Sequence, residues 1–154
     1  MEYCKCFGEN SLRFLNILIF LKIMRRDVSV ILLYDKEKRV LIQHRDDDAP
    51  TLPGYWAFFG GGIEEGESPV EALIRETYEE LEYNIRNPKL MIVQKFGCKY
   101  INGEKHVYIE EYDENQKLVL NEGKDFKWVH IEDALELKMI KHDKEVLEYI
   151  KGKY

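Results

Sequence analysis

The chain has 154 residues, of which 45% are hydrophobic and 34% charged, and carries a formal net charge of −6. That length fits one domain with a real core, the apolar share excludes a disordered chain, and the acidic balance points away from a nucleic-acid polymer or an anionic membrane as partner, so that any polyanion would have to be met by local lysines and arginines or by metal ions. Three cysteines, Cys4, Cys6 and Cys98, make an odd number with no zinc-like spacing, which points to a cytoplasmic protein with free thiols.

In chain order, the first feature is the apolar run "LRFLNILIFLKIM", Leu12 to Met24. It falls short of the ~20 residues that span a bilayer. Glu2, Glu9, Lys5 and Arg13 charge its front and no small-residue cleavage site follows, which argues against a signal peptide. Met24 reads as a natural start leading into a strand. Residues 1–23 are then either an accessory element or an extension foreign to the functional protein, and residues 24–154 form the domain.

Val28–Tyr34 is β-branched and apolar, Lys36-Glu37-Lys38 is a polar turn, and "RVLIQHR" alternates again, which predicts a hairpin. "RDDDAPTLPGYW" is loop, and its three adjacent aspartates cannot all turn to one ion. "WAFF" predicts a short strand ending in the glycines. Ser68-Pro69-Val70-Glu71 opens a helix with three agreeing signals: an N-cap serine, proline at the first helical position, and glutamate three after the cap. The helix should run to about Tyr83, with Asn84 and Pro88 ending it. "KLMIVQKFGCKYI" and "KHVYIEEYD" predict two strands around a turn at Asn102-Gly103, "DFKWVHI" another strand, and "EDALEL" and "DKEVLEYIKGKY" two helices. Strands and helices interleave without a strict βαβ rhythm. The predicted class is therefore α/β of the α+β type, a mixed sheet with helices packed on its faces.

Projected at 100° per residue, the predicted helix places Val70, Leu73, Ile74, Thr77 and Leu81 on a core-facing stripe. Glu76, Glu79 and Glu80 cluster on the other side at i, i+3 and i+4. Solvated helix faces usually mix lysine among glutamates, yet from Glu67 to Glu82 the sole cation is Arg75. The three carboxylates also lie late in the helix, where the macrodipole disfavours anions. Such crowding points to a bound cation, and a hard divalent ion such as Mg²⁺ takes carboxylate oxygens together with substrate phosphates. The adjoining "GGGIEEGE" carries neither G-x-x-x-x-G-K-[ST] nor G-x-G-x-x-G, so it does not read as a phosphate cradle of either kind.

Gly61, Glu67, Arg75-Glu76 and Glu79-Glu80 stand at the spacing G-x5-E-x7-R-E-U-x-E-E-x-G-U and resemble the Nudix box. With the flanking strands, the resemblance covers Arg25 to the C-terminus. It departs from the pattern at Thr77, where an aliphatic residue is usual, and at Glu82 and Tyr83, which replace the terminal glycine and aliphatic. The resemblance implies a Nudix α/β/α sandwich and a Mg²⁺- or Mn²⁺-dependent hydrolase of a nucleoside diphosphate linked to a group X. By position it implies Glu76, Glu79 and Glu80 as metal ligands with the Gly60 carbonyl, and Glu67 with Arg75 as a supporting ion pair beside Gly61. Likeness to the 8-oxo-dGTP diphosphatase type implies Glu122, in "LNEGKDFKWV", as a further ligand or general base; a solvated loop glutamate is the plain alternative. Arg45 resembles a substrate-contacting position and is as readily an ordinary strand-end arginine. Asp143, at the start of the last helix, is a candidate for reading the base. Phe58, Phe59 and Trp128 could stack on a base, although aromatics at strand positions are more often core.

The expected substrate is a nucleoside triphosphate, oxidised ones included, cut to nucleoside monophosphate and pyrophosphate. The competing expectations are hydrolysis of ADP-ribose or a nucleotide sugar, and a non-catalytic nucleotide-binding module. Homodimers are frequent among similar proteins.

Overall fold

The computed structural model describes residues 24–97 and 101–153. The apolar N-terminal run and all three cysteines lie outside the described residues. Within them the chain forms β1 (Met24–Arg25), β2 (Val28–Tyr34), β3 (Val40–His44), β4 (Trp56–Ala57), β5 (Phe59–Gly62), α1 (Pro69–Leu81), β6 (Lys89–Gly97), β7 (Ile101–Glu111), β8 (Asp125–Val129), α2 (Ile131–Leu135) and α3 (Lys141–Ile150).

All eight strands join one mixed sheet. At its centre β2 runs parallel to β7 along its whole length, from Val28 opposite Lys105 to Tyr34 opposite Glu111. Its other edge pairs antiparallel with β5 and then, at Tyr34, with β3. β6 pairs with β7, while β4 and β8 flank β3. Both faces of β2 are covered, and "VSVILLY" is accordingly apolar without alternation. Val30 and Leu32 face one layer with Val107, Ile109 and α3's Val146, Leu147 and Ile150. Ile31 and Leu33 face the other with Phe59 and α1's Leu73 and Leu81. Each such burial contributes roughly 1.5–3 kcal/mol. The result is a sandwich with α1 on one face of the mixed sheet and α2 and α3 on the other, as expected. Phe58 and Phe59 are core, one on each side.

The start of α1 follows its sequence signals. The Ser68 hydroxyl accepts from the Glu71 amide, the Glu71 carboxylate accepts from the Ser68 amide, and Pro69 is the first helical residue. Its end comes sooner than expected, because Glu82 adopts the left-handed conformation at φ 51° and breaks the helix after Leu81. Tyr83 then turns fully into the core, and its hydroxyl accepts from the Asp113 amide. Thus Glu82 does the work of the missing glycine and Tyr83 that of the missing aliphatic.

Three further expectations are corrected. Val70 and Ile74 are 36% and 43% exposed, so they are not core. The buried face of α1 is rotated toward Ala72, Leu73, Thr77, Glu80 and Leu81, because the Glu80 carboxylate finds partners beneath the helix. Asn102-Gly103 is not a turn but lies inside β7; a Cβ at Gly103 would sit 2.1 Å from the Arg26 carbonyl oxygen, and glycine serves that close crossing. The short strand expected for "WAFF" is interrupted at Phe58, and its second part continues through the glycines as β5, Phe59–Gly62. No helix among the described residues is long and apolar enough to cross a membrane.

Candidate active site

The glycines of β5 form a seat for two carboxylates. Gly60 lies opposite Val30 at φ +122°, where a Cβ would come within 2.2 Å of the Ser29 carbonyl oxygen. Its amide donates to Glu80 Oε2 at 2.7 Å. Next along, the Glu76 carboxylate lies over Gly61, so closely that a Cβ there would stand 2.3 Å from Glu76 Oε2. Side chains on one turn of α1 therefore rest on adjacent residues of β5; a side chain at 61 would lift Glu76 off, whereas one at 60 would strike the backbone of β2.

Arg75 organises the outer side of this seat. Its Nε and Nη2 donate to the two Glu67 oxygens, each at 2.9 Å, and Nη2 also donates to the Gly62 carbonyl at 3.0 Å. Its Nη1 donates to Glu76 Oε1 at 2.7 Å and to Glu79 Oε2 at 3.3 Å. The two-pronged contact with Arg75 and the Glu64 amide hold the Glu67 carboxyl down at about 2. Glu67 and then Glu76 raise the Arg75 guanidinium above its ordinary range.

Glu80 has the opposite environment, being 5% exposed. Burial pushes its carboxyl up to about 8, the Gly60 amide and Gln43 oppose that, and the charges of Glu122 and Glu76 add to it. Exposed Glu122 arrives on the segment that covers the end of α1. The Val119 and Asn121 amides donate to the carbonyls of Leu81 and Glu80, both at 2.9 Å, and Asn121 Nδ2 donates to that of Glu79. These are the carbonyls that a helix end leaves unpartnered.

Gly60, Gly61, Glu67, Arg75, Glu76, Glu79, Glu80 and Glu122 are thus gathered at one end of the α1 face. They do not form a closed metal cage. Among the described residues, no three His, Cys, Asp or Glu side chains converge closely enough to hold one ion. Arg75 ties Glu76 and Glu79 outward while Glu80 lies inward on Gly60. The donor set itself suits a hard divalent cation: carboxylate oxygens, one of them pushed toward its protonated form chiefly by burial and further by the charges of Glu122 and Glu76.

Two expected residues stand elsewhere. Arg45 donates through Nε and Nη2 to the Thr51 carbonyl and braces the loop after β3. Asp143 is 1% exposed and faces the α3 layer, accepting from the Phe58 amide at 2.9 Å and from Lys105 Nζ. Burial pulls the Lys105 ammonium down from the usual lysine range. Sequence reasoning missed Gln43 and Asn121. Gln43 Nε2 donates to the Phe58 carbonyl at 3.1 Å and points at Glu80 Oε1 at 3.4 Å. A lone glutamine in an alternating strand carries no signal of such a role.

The family model for the NUDIX domain matches residues 24–150, most of the chain. The chain belongs to the Nudix family. It is 31% identical over 123 residues to the nucleoside triphosphatase NudI of Escherichia coli O139:H28, covering 73% of this chain and 87% of that protein. It is 27% identical over 135 residues to the dihydroneopterin triphosphate diphosphatase of Haemophilus influenzae, covering 77% of this chain and 83% of the relative. The crystal structure of a MutT protein from Methanosarcina mazei Go1 superposes with a TM-score of 0.76 at 19% identity, over 86% of this chain and 97% of that one. As a Nudix hydrolase the protein cleaves a phosphorus-containing acid anhydride, and the enzymes of this family use divalent cations.

Proposed function

We propose that this Nudix hydrolase cleaves nucleoside triphosphates, oxidised ones included, to nucleoside monophosphate and pyrophosphate in a Mg²⁺- or Mn²⁺-dependent reaction. The observation that carries the reading is the pair of carboxylates, Glu76 and Glu80, resting on adjacent glycines of one strand with Glu122 acting electrostatically on Glu80. The names of two relatives, a nucleoside triphosphatase and a diphosphatase of a pterin triphosphate, support the substrate class.

In this reading Glu76, Glu79 and Glu80, with the Gly60 carbonyl and Glu122, would hold the metal. When bound, the metal polarises the phosphoryl group and lowers the pKa of an attacking water. The protein's own share is positional. Glu67 and Gly62 hold the Arg75 guanidinium, and Arg75 holds Glu76 and Glu79 beside the seat. Burial favours the protonated form of Glu80, and a cation bound there would displace that proton. Glu122, on the exposed side, is the candidate base toward a water. Arg45 braces the loop after β3, whereas Asp143 is turned inward, away from the carboxylate cluster.

Product analysis tests the substrate class. Nucleoside monophosphate with pyrophosphate supports it, and nucleoside monophosphate with a sugar phosphate would instead assign ADP-ribose or nucleotide-sugar hydrolysis. Glu80→Gln should lower the rate by roughly 10²-fold or more, the scale of losing metal-supported activation, with the fold retained. Full activity in that variant would overturn the metal assignment. Glu122→Gln should lower the rate less, and an unaltered pH–rate profile would remove it as base.

A further inference from the structure

Two buried polar groups on opposite faces of the sheet are linked through one residue. On the α3 face, Asp143 and Lys105 form an ion pair that is closed to solvent. Asp143 Oδ2 accepts from the Phe58 amide at 2.9 Å. The Phe58 carbonyl accepts from Gln43 Nε2 at 3.1 Å on the α1 face, and the same Nε2 points at Glu80 Oε1 at 3.4 Å. Both neighbours of that nitrogen are acceptors, which fixes the orientation of the Gln43 amide. Two residues beyond Phe58, the Gly60 amide donates to the other Glu80 oxygen.

The strand is broken where this link passes. β4 ends at Ala57 and β5 begins at Phe59, leaving Phe58 between them with side-chain partners on both its amide and its carbonyl. The approach to α3 is fixed to the same segment, since the Trp56 amide donates to the Lys138 carbonyl and the Ile140 amide to that of Trp56. Asp143 thereby reaches Phe58 from a held helix start.

We propose that Asp143, held by Lys105, is a positioning residue for Glu80, acting through the Phe58 peptide and Gln43 to set the carboxylate on its glycine seat. The inference rests on the metal reading of Glu80 given above. A pair that served only to fasten α3 to the sheet would not need Phe58 to hand the restraint to Gln43. Gln43, which touches Glu80 directly, stands where outer-shell partners of metal ligands typically carry a 10–100-fold effect on metal affinity or activity.

The test replaces the pair by apolar residues, Lys105→Met with Asp143→Leu, a change that is often neutral or stabilising for a buried ion pair. Mn²⁺ alone is titrated by water-proton relaxation, and kcat and KM are measured alongside. The expected result is a folded protein whose Mn²⁺ Kd is about 10–100-fold weaker, with kcat lowered and KM little changed. Lys105→Met with Asp143→Asn, which retains an acceptor for the Phe58 amide, should restore most of the loss. A folded Met/Leu protein with unchanged Mn²⁺ affinity overturns the inference, whatever its melting temperature. Should that protein not fold, Gln43→Met decides in its place, and unchanged Mn²⁺ affinity there overturns it equally. Glu80→Gln is titrated in parallel. If it binds Mn²⁺ as the parent does, the metal reading itself has failed; if it loses Mn²⁺ while the Met/Leu protein does not, the positioning role alone has failed.

Discussion

Glu80 carries two demands on one side chain. Its partners Gly60 and Gln43 keep it beneath the helix, while burial, with the charges of Glu122 and Glu76 added, makes its charged form unfavourable in the metal-free protein. Because burial raises its pKa to about 8 from the ordinary glutamate value of 4.5, the unfolded chain releases this proton before the folded one does. Folding therefore loses stability as pH rises through that window, on the order of a few kcal/mol by pH 8. The melting temperature of metal-free protein should decline across the window, and Glu80→Gln should flatten the decline. An equal slope in both proteins would show that the proton resides elsewhere. Glu67 behaves in the reverse sense, since Arg75 lowers its carboxyl to about 2. Its contribution is present above the ordinary glutamate range and disappears as pH falls toward that value. Thr77, where the Nudix pattern has an aliphatic, is fully buried, and no partner for its hydroxyl stands among the described residues. Thr77→Val should stabilise the protein by about 1 kcal/mol, read from chemical denaturation with an unaltered slope.

At the scale of elements, the junction of β5 with α1 decides the site. The two glycines at its centre should respond differently to alanine. At Gly60 the new Cβ meets backbone of β2 at a positive φ, so the sheet itself must move and the protein should lose stability by several degrees of melting temperature or fail to fold. At Gly61 it meets the Glu76 carboxylate, which can swing away. Gly61→Ala should therefore fold and lose activity through Glu76. Comparable melting losses in the two variants would contradict this division. The start of α1 was legible in sequence because its signals are local: the capping serine, the proline and the returning glutamate all act within one turn. Its buried face was not, since Val70 and Ile74 fit the apolar period as well as Leu73 does. Which apolar residues are covered depends on the partner beneath the helix, and the pull of Gly60 and Gln43 on Glu80 rotates that face away from them. Asn102-Gly103 misled for the same reason, as a dipeptide with turn chemistry also suits a strand that another backbone crosses closely.

For the molecule as a whole, folding and metal binding should be linked. Adding Mn²⁺ at a hundredfold over its Kd to chelator-treated protein should raise stability by about 2.7 kcal/mol, some 5–10 °C at this chain length, and a variant lacking Glu80 should not respond. Sequence by itself determined the class of sandwich and the chemical character of the site. Apolar periodicity, caps and the run from Gly61 to Glu80 act over short stretches of chain, where spacing alone brings residues together. Tertiary structure decided how the site is held. The Asp143–Phe58–Gln43–Glu80 link joins residues from α3, the β4–β5 break, β3 and α1 across both faces of the sheet. No local pattern encodes such a link, because each member is an ordinary residue for its element until packing closes off its alternatives in water.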